Sequence, residues 1–238
     1  FKMKRELKKM NKKWKKEILI SFILFFVFII YTILVKFIDI QAIGPNDSKV
    51  GFSSLNQIVH QWFPGNFTLY DITDWGSIVP IGAAFVLAIF GLAQWIQRKK
   101  LLKIDGNILA LGVSYLLTFI IYLFFEFAVI NRRPVLINGI LEASYPSSTT
   151  MLSLVILTTC IDQVYIYIKN KYLKYILISF SGAYALFLVV GRIIAGVHWA
   201  SDIIGAMLVS SALIFTYFGL KSLLIEKLKT ESNETSVR

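Results

Sequence analysis

Cysteine is almost absent: Cys160 stands alone, inside an apolar run. That excludes a disulfide framework or a cysteine-built metal site within one chain. Histidine is nearly as scarce, with only His60 and His198. Acidic residues number 14 against 25 Lys and Arg, a formal net charge of +11. Such a balance points to nucleic acid only when the basic residues form a face on a soluble fold. Here they sit in short segments between long uncharged stretches, so no nucleic-acid partner is expected. The period-two alternation of barrel strands is missing, and so is any internal repeat.

What is present is apolar. Of 238 residues 56% are hydrophobic, Phe alone occurs 19 times, and the mean hydropathy is +0.67. Soluble domains sit nearer about 45–50% apolar. A bilayer takes roughly 20 mainly apolar residues per helical crossing. Segments 18–38, 75–97, 107–130, 148–168, 174–191 and 202–220 meet that length. The expectation is an all-α integral membrane protein, six transmembrane helices in one bundle, because a lipid-exposed backbone must satisfy its own hydrogen bonds. It divides into a basic N-terminal segment 1–17, a membrane domain 18–220 and a tail 221–238. Ile18 to Val35 is too long for a signal-peptide core and ends at Lys36 without a small-residue cleavage pattern, so an uncleaved anchor is expected.

Basic residues set the orientation. Nine lie in 1–17, four in 98–103, three in 169–174 and four from Lys221 onward. The opposite side holds only Lys36, Lys49, Arg132, Arg133 and Arg192. Both termini are therefore expected in the cytoplasm. The outer face then collects a long first loop, 39–74, together with 131–147 and 192–201. In that first loop, Ser53 to Phe63 places Leu55, Ile58, Val59 and Trp62 at helical spacing. This stripe fits a short helix lying on the membrane surface, or one packed on the core.

Three outer stretches carry chemistry. Arg192 is a fixed cation able to grip phosphate oxygens in a fork, and Arg133 offers a second such grip beside Arg132. Ser147, Ser148 and Thr149 open a membrane helix, whose start presents N–H groups to an anion; simple capping explains the two serines as well. His198 precedes Asp202 by four residues, which puts both on one face if a helix begins nearby.

Taken together, Arg133-Pro134, Pro146-Ser147-Ser148 and Arg192-x5-His198-x3-Asp202 resemble the three-part signature of the type 2 phosphatidic-acid phosphatase family, which shares its site with vanadium haloperoxidases. The six spans and the short helix in the first outer loop resemble that family too. The resemblance implies that His198 attacks phosphorus and carries a phosphoryl group while Asp202 holds its other nitrogen. It implies neither a metal nor any other cofactor.

Two positions depart from that signature. The family's Lys falls at Glu126, two helical turns or ~10 Å before Arg133. A unit charge pair 4 Å apart is worth about 4 kcal/mol at an effective dielectric of 20, so the reversal matters unless Glu126 is protonated or pairs with Arg132 or Arg133. Pairing is the favoured arrangement. Where the family places a proton-donating His stands Thr149, whose hydroxyl hydrogen-bonds phosphate but delivers no proton near neutral pH. Losing a general acid costs ~10²–10⁴ in rate. Gly191 replaces a Ser before Arg192, removing one more hydrogen bond. A diphosphate substrate, with its better leaving group, lessens the need for an acid; His60, on the same side, is a substitute acid supported only by that sidedness.

The leading expectation is a bacterial-type plasma-membrane phosphohydrolase acting on a lipid phosphate or polyprenyl diphosphate at the outer leaflet. His198 and Asp202 would be catalytic, with Arg133, Arg192, Ser147, Ser148 and Thr149 holding phosphate. The rival is a catalytically impaired relative that binds or moves a phospholipid, with Glu126 recognising a headgroup amine. A membrane scaffold accounts for the hydrophobicity but not for the Arg-His-Asp spacing.

Overall fold

The structure, a computed structural model, describes residues 2–236, with side chains described over 12–228. The basic positions expected within 1–11 and the tail beyond 228 lie outside the described side chains. The elements are helices α1 (Lys2–Phe37), α2 (Ser53–Trp62), α3 (Phe67–Gly76), α4 (Ile78–Arg98), α5 (Gly106–Phe127), α6 (Ser148–Tyr167), α7 (Lys171–Ile194) and α8 (Ala200–Ser236). A two-residue hairpin, β1 (Gln41–Ala42) with β2 (Lys49–Val50), precedes α2. Six helical stretches among the described residues are long and apolar enough to cross a membrane. The chain is an all-α membrane bundle.

Helix α8 is the axis, packed on α1, α5 and α6. Its residues Ala206, Val209 and Leu213 meet Phe28 and Val35 of α1, Phe125 of α5, and Met151 and Val155 of α6. Tyr145, just before α6, ties this core to the loop above it. Its ring stacks on Phe28 at 6.3 Å, its hydroxyl meets Thr32 Oγ1 at 2.7 Å, and it lies so close on Gly205 that a Cβ there would stand 2.5 Å from the ring. Outward, Phe22, Phe26, Phe85, Ile89, Phe119 and Phe180 are exposed. In water such a girdle would be an aggregation hazard; in a bilayer it is the solvated surface.

The expected spans coincide with α1, α4, α5, α6, α7 and α8, with one difference. The first long loop, expected to run to 74, is helical from Phe67. Asn66 caps this helix by accepting from Leu69 N at 3.0 Å, and Ser77 separates it from α4. Thr68, Asp71, Thr73 and Asp74 break its apolar run, which hides it from a hydropathy reading.

Helix α2 forms over the apolar stripe of the loop between α1 and α3. Leu55, Ile58 and Trp62 are exposed, while Ser53 and Asn56 are buried. The apolar face points away from the protein, as a helix on a membrane surface requires. Asn56 points inward and accepts from Ser201 N at 3.0 Å, satisfying a free N–H at the start of α8.

Candidate functional site

Between α5 and α6 the chain makes a hairpin-like excursion. Ile137 and Ile140 exchange backbone hydrogen bonds of 2.9 and 3.0 Å across Asn138-Gly139, both with positive φ (49° and 77°). Asn-Gly is the pair that such a two-residue turn favours. The turn folds Glu142 back onto Arg133. Arg133 N donates to the Glu142 carbonyl at 3.1 Å, and Arg133 Nε lies 3.0 Å from Glu142 Oε2. One partner of Arg133 is therefore a carboxylate that the linear motif does not include.

His198 sits between α7 and α8, almost wholly buried. Its Nδ1 lies 3.1 Å from the Ser144 carbonyl, which only accepts, so Nδ1 carries the proton. Nε2 is then unprotonated, and it faces Arg133 Nη1 at 3.4 Å, a group that only donates. Burial, then Arg133 and Arg192, holds the imidazole well below its ordinary pKa, so it is neutral near pH 7. A lone pair on Nε2 next to a guanidinium is a nucleophile beside an anion-binding group.

Asp202, in the first turn of α8, stands beside His198, which lies in the bend before that helix and not on a face of it. Asp202 does not make the expected hydrogen bond to the imidazole. Its Oδ2 stands 3.7 Å from Nδ1, beyond hydrogen-bond length, and accepts from Trp199 N at 3.0 Å. This is an acidic residue in the first turn reaching back to the start of its own helix. Asn131 Nδ2 approaches the other oxygen at 3.4 Å. The Ser144 carbonyl orients the imidazole directly, and Asp202 fixes the α8 start that carries it.

Arg192, at the end of α7, is 1% exposed. Its Nη2 donates to Asp74 Oδ1 and, at 2.6 Å, to Thr149 Oγ1, and its guanidinium lies over the Tyr70 ring at 5.0 Å. Nε and Nη1 are buried without a hydrogen-bond partner among the described residues. Buried donors left unpaired are rare enough to call for a ligand or water. Helix α3 brings Tyr70 and Asp74 here, and Gly191 makes its approach feasible. A Cβ on Gly191 would stand 2.6 Å from Thr73 Cγ2, so glycine there permits the close contact of α7 with α3.

The N-terminus of α6 lies alongside. Ser147 N donates to the Asp202 carbonyl at 3.2 Å and Ser147 Oγ meets Thr150 Oγ1 at 3.1 Å, with no side-chain cap on the helix. Capping therefore does not account for Ser147. A cavity of about 220 Å³ opens beside it, lined by Tyr122, Glu126, Arg133, Glu142, Ser148 and His198 among others. Glu126 is exposed and forms no ion pair among the described residues, so its expected pairing with Arg132 or Arg133 is not made. Arg133 is taken by Glu142, and Arg132 Nη1 donates to the Leu141 carbonyl at 2.8 Å. His60 packs against Trp199 at 5.4 Å between ring centroids and is not among the residues lining the cavity.

The architecture and site define an all-α membrane bundle with a His-Arg cavity at one end. No protein-family model matches the chain, and no curated protein does. A solved structure similar to it is a transmembrane PAP2-type phosphatidylglycerolphosphate phosphatase from Bacillus subtilis, 18% identical, with a TM-score of 0.49 over 83% of this chain and 93% of that one.

Proposed function

We propose that this protein is a phosphohydrolase of phosphorylated membrane lipids, a lipid phosphate or polyprenyl diphosphate, working at the outer leaflet of the plasma membrane. The supporting observation is the placement of His198, with Nδ1 3.1 Å from the Ser144 carbonyl and Nε2 facing Arg133 Nη1 at 3.4 Å. In the first step the Nε2–P bond forms as the P–O bond to the leaving group breaks. In the second, water attacks phosphorus and Nε2 leaves, giving inorganic phosphate. Arg133 neutralises charge developing on the phosphoryl oxygens, and Arg192, with two unpaired donors, backs the same group.

One observation favours binding without turnover. The Thr149 hydroxyl is held by Arg192, so the residue at the expected acid position positions a cation and donates no proton to a leaving group. A diphosphate substrate, expelling phosphate, tolerates that arrangement best. The test is phosphate release by the purified full chain from a panel of lipid phosphates and diphosphates, with His198→Ala alongside. Release that His198→Ala abolishes supports the proposal; none from any lipid, with phosphate-analogue binding retained, makes the protein a binder.

A further inference from the structure

The charges around the cavity do not suit a simple phosphate. Arg133 is matched by Glu142 at 3.0 Å, and Arg192 behind it is matched by Asp74. His198 is neutral at pH 7. Glu126 then remains as one uncompensated negative charge on the wall. A phosphate monoester brings about −1.5 to −2 near neutral pH, which this lining repels. A lipid phosphate that also carries a positive charge matches this lining better than one that does not.

Where Glu126 sits strengthens the point. It is the second-last residue of α5, and a carboxylate at a helix C-terminus faces the negative end of the helix dipole. No ion pair among the described residues offsets that, although its wall also carries two basic or nucleophilic groups. Tyr122 lines the cavity together with both Glu126 and Glu142. Arg133, its partner Glu142 and His198 thus share the cavity with Glu126, which has no ion-pair partner among the described residues.

We infer that the ligand is a lipid phosphate bearing a primary amine a few bonds from the phosphorus. The phosphate lies on Arg133 and His198, and the ammonium lies between Glu126 and Glu142. This rests on the phosphohydrolase reading only for the fate of the phosphate; recognition of the amine stands on the charges alone. The arrangement selects by charge pattern: a neutral headgroup leaves Glu126 unmatched beside an anion, whereas an ammonium satisfies it and relieves the repulsion on phosphate.

The experiment compares a long-chain 2-aminoalkyl phosphate with its N-acetyl form, which keeps the phosphate and chain but loses the charge. Turnover and equilibrium binding are measured on the purified full chain in detergent micelles. Wild type is expected to favour the amine by about three- to tenfold, the range for a partly exposed charge pair. Glu126→Gln should bring the two lipids level, and Glu126→Lys should reverse the order. Turnover of both lipids at equal rates overturns the inference and leaves the phosphohydrolase reading standing. Turnover of neither, with the amine lipid bound more tightly and the preference lost in Glu126→Gln, supports the inference and overturns the hydrolase. Equal binding without turnover overturns both.

Discussion

Asp74→Asn separates the two roles of Arg192, anchor for α3 and grip for phosphate. The guanidinium is 1% exposed, whereas the Asp74 side chain is 51% exposed, so the pair has one face in the protein and one toward solvent. Breaking a fully buried pair costs roughly 3–5 kcal/mol, while exposed pairs are worth ~0–1 kcal/mol. A half-exposed pair falls between, at about 1–3 kcal/mol, and Thr149 still holds Nη2 after the change. Unfolding in detergent micelles should therefore show a clear loss of stability. If Asp74 occupies ground that phosphate also takes, orthovanadate or phosphate should bind the variant more tightly, by on the order of tenfold for each ~1.4 kcal/mol of competition removed. Ligand should then restore stability more in the variant than in wild type. A variant that loses stability without any gain in anion affinity would mean that Arg192 is a structural anchor, and its place in the phosphate cradle would be withdrawn.

Acid should destabilise the protein through its histidines. His198, and more modestly His60, are held below their ordinary pKa by burial, while the unfolded chain takes up protons near pH ~6.5. Stability should thus fall as pH drops below ~6.5, by up to ~1.4 kcal/mol per pH unit for the buried His198, and His198→Gln should remove that part of the slope in pH-dependent melts. Turnover should persist below pH ~6.5, because Nε2 stays free there; an acid limb centred at about 6.5 would contradict the buried tautomer. The double change Thr149→His with Glu126→Lys should raise hydrolysis of an alkyl phosphate by ~10² or more if only a proton donor is missing, and far less for a diphosphate. Because Thr149 also holds Arg192, the single Thr149→His should show little gain, and no gain in a well-folded double variant would point to a binder. Finally, with Cys160 replaced, cysteines at Asn66 and Gly139 should react with an impermeant thiol reagent on intact cells; reaction only in opened cells would invert the orientation.

Much of this molecule is legible in its sequence because a bilayer imposes so few solutions. Uncharged runs of span length become α1 and α4 to α8, and the stripe of Leu55, Ile58 and Trp62 becomes α2. His198 and Asp202 land together because the bend at His198 runs directly into the first turn of α8, which carries Asp202. What sequence reasoning missed is non-local or polar. Asp74 reaches Arg192 across 118 residues, on a helix whose threonines and aspartates mask its membrane character. Glu142 had a readable cue in Asn138-Gly139 between two isoleucines, a hairpin signal that places residues 133 and 142 opposite each other. Ser144 acts through its backbone carbonyl, which no side-chain motif records. Gly191 reads in the sequence as a lost hydroxyl, yet in space it is the point where α7 meets Thr73 of α3.

Trapping the covalent intermediate decides whether His198 is the nucleophile. Purified full chain would be mixed with a lipid phosphate or diphosphate carrying labelled phosphorus at the transferable position, quenched in alkali, and digested to locate the label. Attack by Nε2 predicts a phosphoryl group on His198 that is stable to base, released by acid, and absent from His198→Ala. Labelled phosphate released at full rate by His198→Ala, or turnover in wild type with the label never found on that residue, would remove His198 from the chemistry.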